Sequence, residues 1–255
     1  MWHTLLYQPL VNGLIAFYKL FDNLGWAIIN FTMVIRILLL PLTLPALKAA
    51  QKMKALGPKL GKLKQKYKGN AQKLAAAQME LYRSAGIKPL SGLLPQIIQI
   101  VILIALFQAF RQVLGNGSSV EELNKLLYPF LRFPAEAKLK LNFFYLTLDK
   151  PDLIDSVKIA GKSIPGIFLI LSALSQFLSA KAMMPLSKKQ EKIADKTPAK
   201  TDDFAAAMQT QSLYVFPLMT ILIGFSFPSG LVLYWLVFSL FNLVQQIIIS
   251  RKRGK

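Results

Sequence analysis

From Phe204 to Ser250 the chain runs for 47 residues without a charged side chain. A soluble domain seldom buries such a run. A bilayer, whose hydrocarbon core is about 30 Å thick, takes about 20 apolar residues per crossing helix. The run is therefore too long for one span. Its middle reads Gly224-Phe-Ser-Phe-Pro228-Ser-Gly230, and a proline flanked by glycines marks a turn. Two helices are expected, over 209–227 and 229–250.

Three more stretches have this character. Leu24 to Leu47 carries one charge, Arg36; Pro89 to Phe110 and Ser163 to Ala180 carry none. The chain of 255 residues is 54% hydrophobic with a mean hydropathy of +0.43, and its net charge is +19 although only 17% of its residues are charged. Apolar and basic together describe membrane helices joined by basic loops rather than a soluble nucleic-acid binder, so no nucleic-acid substrate is expected. Cysteine is absent and His3 is the one histidine. That composition leaves no disulfide, no thiolate metal site, no multi-histidine zinc site and no Ser-His-Asp centre, so neither a metal nor a cofactor is expected.

The first 22 residues lack the basic start of a signal peptide, and Gln8, Pro9 and Asn12 interrupt their apolar run. Leu6, Leu10, Leu14, Phe17 and Phe21 recur at helical spacing, the stripe of an amphipathic helix lying in the interface. The expected fold is thus an all-α membrane protein. An interfacial helix over 1–22 precedes spans at 23–47, 89–112, 163–183, 209–227 and 229–250. Between them lie a basic segment at 48–88, loops at 113–162 and 184–208, and a basic tail at 251–255.

Lysine and arginine set the orientation. With the N-terminus outside, the inner segments hold 21 of the 31 basic residues and the outer ones 9, Arg36 being the last. N-out and C-in is the expected topology. The inner segment 48–88 has 11 basic residues and one acid, Glu80. Gly57-Pro58 breaks it, Leu60, Leu63 and Tyr67 form one stripe, and Gly69-Asn70 turns it. Leu74, Gln78, Leu81 and Tyr82 form a second stripe, ended by Gly86. The pattern is a helical hairpin displaying Lys59, Lys62, Lys64, Lys66 and Lys68. The outer loop offers a short helix around Val120–Tyr128 and an apolar stretch, Leu139–Leu148, expected to rest on the membrane face. No internal repeat supports an inverted-repeat transporter.

Arg36 is the sharpest functional signal. A charge in mid-span costs about 2.5–3.5 kcal/mol on insertion scales and marks function by default. No Asp or Glu lies in any of the five spans, so Arg36 must face water, backbone dipoles or something from outside the chain. Thr32, Gln96, Gln99, Gln176, Ser179 and Asn242 could line the same polar space, with interhelical glue as the competing role.

Several stretches resemble the YidC/Oxa/Alb family of membrane protein insertases. They are Ile35-Arg-Ile-Leu-Leu-Leu-Pro-Leu-Thr43, Leu60–Tyr67, Glu80-Leu-Tyr82 with Gly86-Ile-Lys-Pro89, Leu94-Pro-Gln-Ile-Ile-Gln99 with Ala105-Leu-Phe-Gln-Ala-Phe110, and Phe227-Pro-Ser-Gly-Leu-Val-Leu-Tyr-Trp235 with Asn242 and Gln245. The resemblance runs in order along almost the whole chain. It implies five spans around a hydrophilic groove open to the cytoplasm and to lipid, with Arg36 as its positive charge. Trp235 and either Gln176 or Ser179 would face the groove, and the third and fifth spans would guide an entering helix. Implied partners are nascent membrane proteins, lipid, and also the ribosome and the Sec translocon; a monomer in a bacterial plasma membrane is implied. The large outer domain and the lipidated cysteine of two family branches are not in this sequence. A passive anion channel or transporter using Arg36 is the alternative.

The topology is open to a direct test, because the chain has no cysteine of its own. A single cysteine at Gly69 or Lys196 should react with an impermeant maleimide only after the inner face is opened, and one at Lys125 should react on intact cells. Reaction of Gly69→Cys from outside would reverse the orientation.

Overall fold

The computed structural model describes residues 3–87, 100–109, 120–159, 162–183 and 211–251. Most of these are helical. After a π-helical turn at His3–Tyr7, α1 spans Gln8–Phe21. It buries Val11, Leu14, Ile15 and Tyr18, a stripe rotated from the Leu10/Leu14/Phe17/Phe21 face that the sequence suggested. The rotation follows from Asn12. Its amide donates to the Leu126 carbonyl (3.0 Å) and accepts from Tyr128 N–H (2.7 Å), so the polar side chain turns inward onto the outer segment.

Asn23 then caps α2 (Leu24–Leu38): its side-chain oxygen accepts from the Gly25 and Trp26 N–H groups. The helix breaks at Leu39, and α3 (Leu40–Ala55) continues with its axis bent by 66° from that of α2. Pro41 explains the break. It has no N–H for the Ile37 carbonyl and its ring crowds that carbonyl, whereas the first turn of a new helix tolerates it. The first expected span is therefore two inclined helices, and α3 carries on beyond it through Lys48 and Lys52. Next come α4 (Gly57–Lys66) and α5 (Ala71–Ser84), packed together and joined by a turn. Gly69 supplies a φ of +88° there, and Asn70 caps α5 by accepting from Lys73 N–H. Only α6 (Ile100–Ala109) is described of the expected second span.

The outer segment departs from the all-α expectation. After α7 (Val120–Leu126) come two small antiparallel hairpins, β1 (Asn142–Phe143) with β2 (Leu146–Thr147), and β3 (Leu153–Ile159) with β4 (Lys162–Pro165). The chain is mostly helical, with two short sheets. The stretch Leu139–Leu148 has two sides, with Phe144 and Tyr145 exposed. Phe143, Leu146 and Leu148 are buried in the common core, and the Trp26 and Phe143 rings meet edge to face at 5.5 Å. Gly25 has no space for a Cβ because the Phe143 ring occupies it.

The third apolar stretch divides between β4 and α8 (Ile167–Met183). The last divides between α9 (Phe216–Gly224), entered through a π-helical turn at Gln211–Val215, and α10 (Ser229–Arg251). α10 packs most extensively on α8 and next on α2; α9 lies on α8. Ser172, Ala173 and Ser175 are the small buried residues of α8, which let helices approach closely. Among the described residues, α10 is long and apolar enough over Ser229–Ile249 to cross a membrane by itself, and α2 with α3 is so as a bent pair. Ile100–Ala109, Ile167–Ala182 and Leu213–Gly224 are shorter apolar helices.

Three helices start against the outer segment, and their first N–H groups, which no helix can satisfy internally, find acceptors there. Leu24 N–H donates to the Lys140 carbonyl (3.2 Å). Ser229 and Gly230 N–H donate to the Lys150 and Leu148 carbonyls (2.7 and 3.0 Å). At α8 the acceptor is a carboxylate: buried Asp152 takes Leu169 N–H (2.7 Å) on one oxygen and the Tyr145 hydroxyl (2.8 Å) on the other. The Asp152 carboxyl fills the space a Cβ at Gly166 would need.

Burial raises the Asp152 pKa above the ordinary carboxylate range, outweighing the hydrogen bonds from Tyr145, Leu169 and Phe168 that favour the anion. A raised folded-state pKa contributes stability that is present below the unfolded value and lost as pH rises through the folded one. Asp152→Ala should lower stability by about 1–2 kcal/mol, the usual cost of a lost helix cap. Asp152→Asn should cost less at neutral pH, and the wild type should gain on it as the pH falls toward 4. Thermal unfolding of the purified variants across that range is the measurement; a pH-independent difference would contradict the assignment.

Candidate functional site

Arg36 sits in the last turn of α2, just before the break, with only 6% of its surface exposed. Its surroundings come from one face of α10. The guanidinium carbon lies 3.5 Å from the centre of the Phe238 ring and 6.0 Å from that of Phe241. Nη2 donates to Asn242 Oδ1 at 3.2 Å. Tyr234, one turn before Phe238, packs its ring against that of Phe238, tilted by 41° at a centroid distance of 6.0 Å. Residues 234, 238 and 242 recur at intervals of four, so one helical stripe brings an aromatic pair and an amide to the cation.

This is incomplete solvation. A guanidinium has five N–H donors. Nε is buried without an acceptor, and Arg36 has no ion pair among the described residues. A desolvated cation–π contact contributes about 2 kcal/mol, well short of what a buried charge loses on leaving water. The side chain is therefore a cation with unused donors, held in a neutral frame.

Next to it is a cleft. The break at Leu39 carries α3 away from α10, which it touches far less than α2 does. The space between them measures about 560 Å³. Leu40, Leu44, Lys48, Gln51 and Lys52 line it from α3; Phe241, Val244, Gln245, Ile248 and Ile249 line it from α10. Phe241 borders both this cleft and Arg36. The Gln245 amide nitrogen is buried without an acceptor among the described residues.

The other residues singled out in the sequence are placed as follows. Thr32 is buried and returns its hydroxyl to the Ile28 carbonyl (2.6 Å) of its own helix. The Gln176 amide oxygen accepts from Thr220 of α9 (2.8 Å), and the Ser179 hydroxyl is buried without a partner among the described residues. Trp235 is half-buried and meets Phe227 edge to face at 6.2 Å. Lys59, Lys62, Lys66 and Lys68 are exposed and Lys64 is partly so, all on α4 and the turn after it. Gln96 and Gln99 lie outside the described residues. Phe238 was grouped in the sequence with ordinary packing residues; its spacing of four from Asn242 is the signal that could have placed it beside Arg36.

Residues 16–255 match the family model of the 60Kd inner membrane protein. A membrane protein insertase YidC of Fusobacterium nucleatum subsp. nucleatum is 33% identical over 234 residues, which cover 92% of this chain and 89% of that protein. The chain belongs to the YidC/Oxa/Alb family. Longer relatives carry the same name: that of Janthinobacterium sp. strain Marseille is 32% identical over 255 residues, and that of Syntrophobacter fumaroxidans 31%. This chain covers 99% and 98% of its own length in those matches but spans only 38% of each relative. The crystal structure of an active YidC insertase with its first transmembrane domain resolved shares the fold, with a TM-score of 0.52 at 23% identity, covering 95% of this chain and 46% of that one.

The Arg36–Asn242 pair can be tested in isolation. Asn242→Ala should destabilise the protein by about 1–3 kcal/mol, since it strips a hydrogen bond from a buried charge. Adding Arg36→Met should recover most of that loss. Thermal unfolding of both single variants and the double variant in detergent closes the cycle; additive losses would mean that the two side chains act independently.

Proposed function

We propose that this chain is a membrane protein insertase, on the strength of its family and of one observation: Arg36 is buried with no carboxylate to neutralise it among the described residues. Five spans, N-out and C-in in a bacterial plasma membrane, enclose a polar groove reaching Arg36. The basic hairpin of α4 and α5, with Lys59, Lys62, Lys64, Lys66 and Lys68, attracts a nascent membrane protein at the inner surface, delivered by the ribosome or beside the Sec translocon. The substrate's hydrophilic tail enters the groove. An acidic side chain there would carry a heavy desolvation penalty alone; the free donors of Arg36 offset it. A guanidinium stays charged in such a place, because its charge is delocalised over the whole planar fork.

Polar positions at Thr32, Gln96, Gln99, Gln176, Ser179, Trp235 and Asn242 keep the groove wet or shape its wall. The substrate helix leaves for lipid along α8 and α10, whose Ile170, Leu171, Leu174, Val244 and Ile248 are exposed. One copy suffices, and no covalent bond is made or broken, so the activity is not enzymatic. The names of the relatives give the anion-pore alternative no support.

The test is insertion of one reporter helix whose tail acids are present or changed to Asn and Gln. Charge-assisted hydrogen bonds contribute about 1.5–3 kcal/mol, so Arg36→Ala should cost the acidic tail about tenfold or more in insertion rate. The neutral tail should lose far less, and Arg36→Lys should fall between. Equal loss for both tails would make Arg36 a groove-holding residue; no loss for either would remove it from the mechanism.

A further inference from the structure

We propose that the cleft between α3 and α10 binds one anionic phospholipid, with its phosphate on Lys48 and Lys52 and its acyl chain along Leu44, Val244 and Ile248. The orientation part of this inference rests on the topology proposed above, which puts this end of α10 at the inner leaflet. The cleft itself has an unusual division of chemistry. Its walls are mostly aliphatic, while α3 also brings Lys48 and Lys52 to it one helical turn apart, both exposed and without an ion-pair partner among the described residues. From α10 the buried Gln245 amide nitrogen adds a donor with no acceptor among the described residues. A phosphodiester with a glycerol ester matches all three: anionic oxygens for the lysines, an ester carbonyl for Gln245, and a hydrocarbon chain for the walls. The volume of about 560 Å³ falls within the usual range for ligand pockets, about 300–1,000 Å³.

A polypeptide tail fits less well. Its backbone N–H and C=O groups would lie unpaired against Leu44, Val244 and Ile248, whereas an acyl chain has no such groups. Lysine also suits the role, because a compact, flexible point charge follows a headgroup that moves in the interface. A lipid here would close the side of the space next to Phe241, the residue the cleft shares with the Arg36 site.

The experiment uses the full chain in neutral detergent, titrated with phosphatidylglycerol or phosphatidylcholine of the same acyl composition and read by native mass spectrometry. One phosphatidylglycerol should bind in preference to phosphatidylcholine. Lys48→Gln with Lys52→Gln should weaken it about 30-fold, since each basic residue near an anionic surface contributes about a factor of five. Val244→Trp, which fills the aliphatic wall, should remove the site with the lysines intact. Lys73→Gln with Arg83→Gln, an equal loss of charge on α5, should leave binding unchanged. Equal binding of both lipids, an equal effect of the α5 pair, or full binding by Val244→Trp would each overturn the proposal. So would displacement of the lipid by inorganic phosphate, which would mean an anion site alone, or by an acidic peptide, which would assign the cleft to a substrate. Because the readout is lipid bound and not helix inserted, a failure here leaves the insertase reading standing, and a failure of that reading leaves lipid binding measurable.

Discussion

A helix that begins inside a membrane protein must find acceptors for its first N–H groups, because lipid offers none and each unsatisfied group costs several kcal/mol. Three helices here begin on the same short segment, and that segment is shaped to serve them. The Lys140 carbonyl meets α2, Asp152 meets α8, and the Lys150 and Leu148 carbonyls meet α10. The interior of a helix could not do this, since it uses its own carbonyls. The turns and loop beside β1 and β2 leave the Lys140, Leu148 and Lys150 carbonyls free, and the hairpin holds them in place. Phe143, Leu146 and Leu148 then fill the space among the helix starts, so capping and packing are achieved by the same ten or so residues.

The same constraint gives the Phe227-Pro-Ser-Gly turn its meaning. In the sequence it is a break in a long apolar run. In the structure Pro228 has no N–H to satisfy, while Ser229 and Gly230 hand theirs to Lys150 and Leu148, and the Ser229 hydroxyl donates to the Thr147 carbonyl at 3.1 Å. The register of α10 is thereby fixed at its start. Fixing it there sets the direction of Tyr234, Phe238 and Asn242 one, two and three turns later, and so the pocket into which Arg36 fits.

Much of this was legible beforehand, and the reasons for the rest are physical. Periodicity and charge located α1, α4, α5, α8 and α10, because an uncharged run or an apolar stripe is a local property. Arg36 stood out for the same reason: one charge in an apolar run is visible without knowing its neighbours. What could not be read was pairing at a distance. Asp152 lies 17 residues from Leu169 and looks like any loop acid; Asn242 lies 206 residues from Arg36. That Phe143, Leu146 and Leu148 of the apolar stretch Leu139–Leu148 fill a core among helix starts could not be read either, because hydrophobicity says that a segment leaves water, not what it enters. The bend of the first span at Pro41 was not legible either, because the effect of a proline on an apolar helix depends on whether a neighbour can take up the freed Ile37 carbonyl.

The two ends of the helix bundle are therefore built on opposite principles. At one end the starts of α2, α8 and α10 are tied down, and Phe143, Leu146 and Leu148 fill the core there. At the other, Pro41 turns α3 aside, and between it and α10 remains a cleft whose Lys48, Lys52 and Gln245 amide nitrogen have no partner among the described residues. Arg36 stands at the junction, in the last turn before the break, held by a ring face and a single amide. A filled end and an end with a cleft, separated by one incompletely solvated cation, make the bundle asymmetric. On the function proposed above, a polar or anionic group reaching Arg36 from the cleft side would gain a partner there, and the filled core beyond would give it no comparable site. That asymmetry follows from where the proline and the hairpins fall in the sequence.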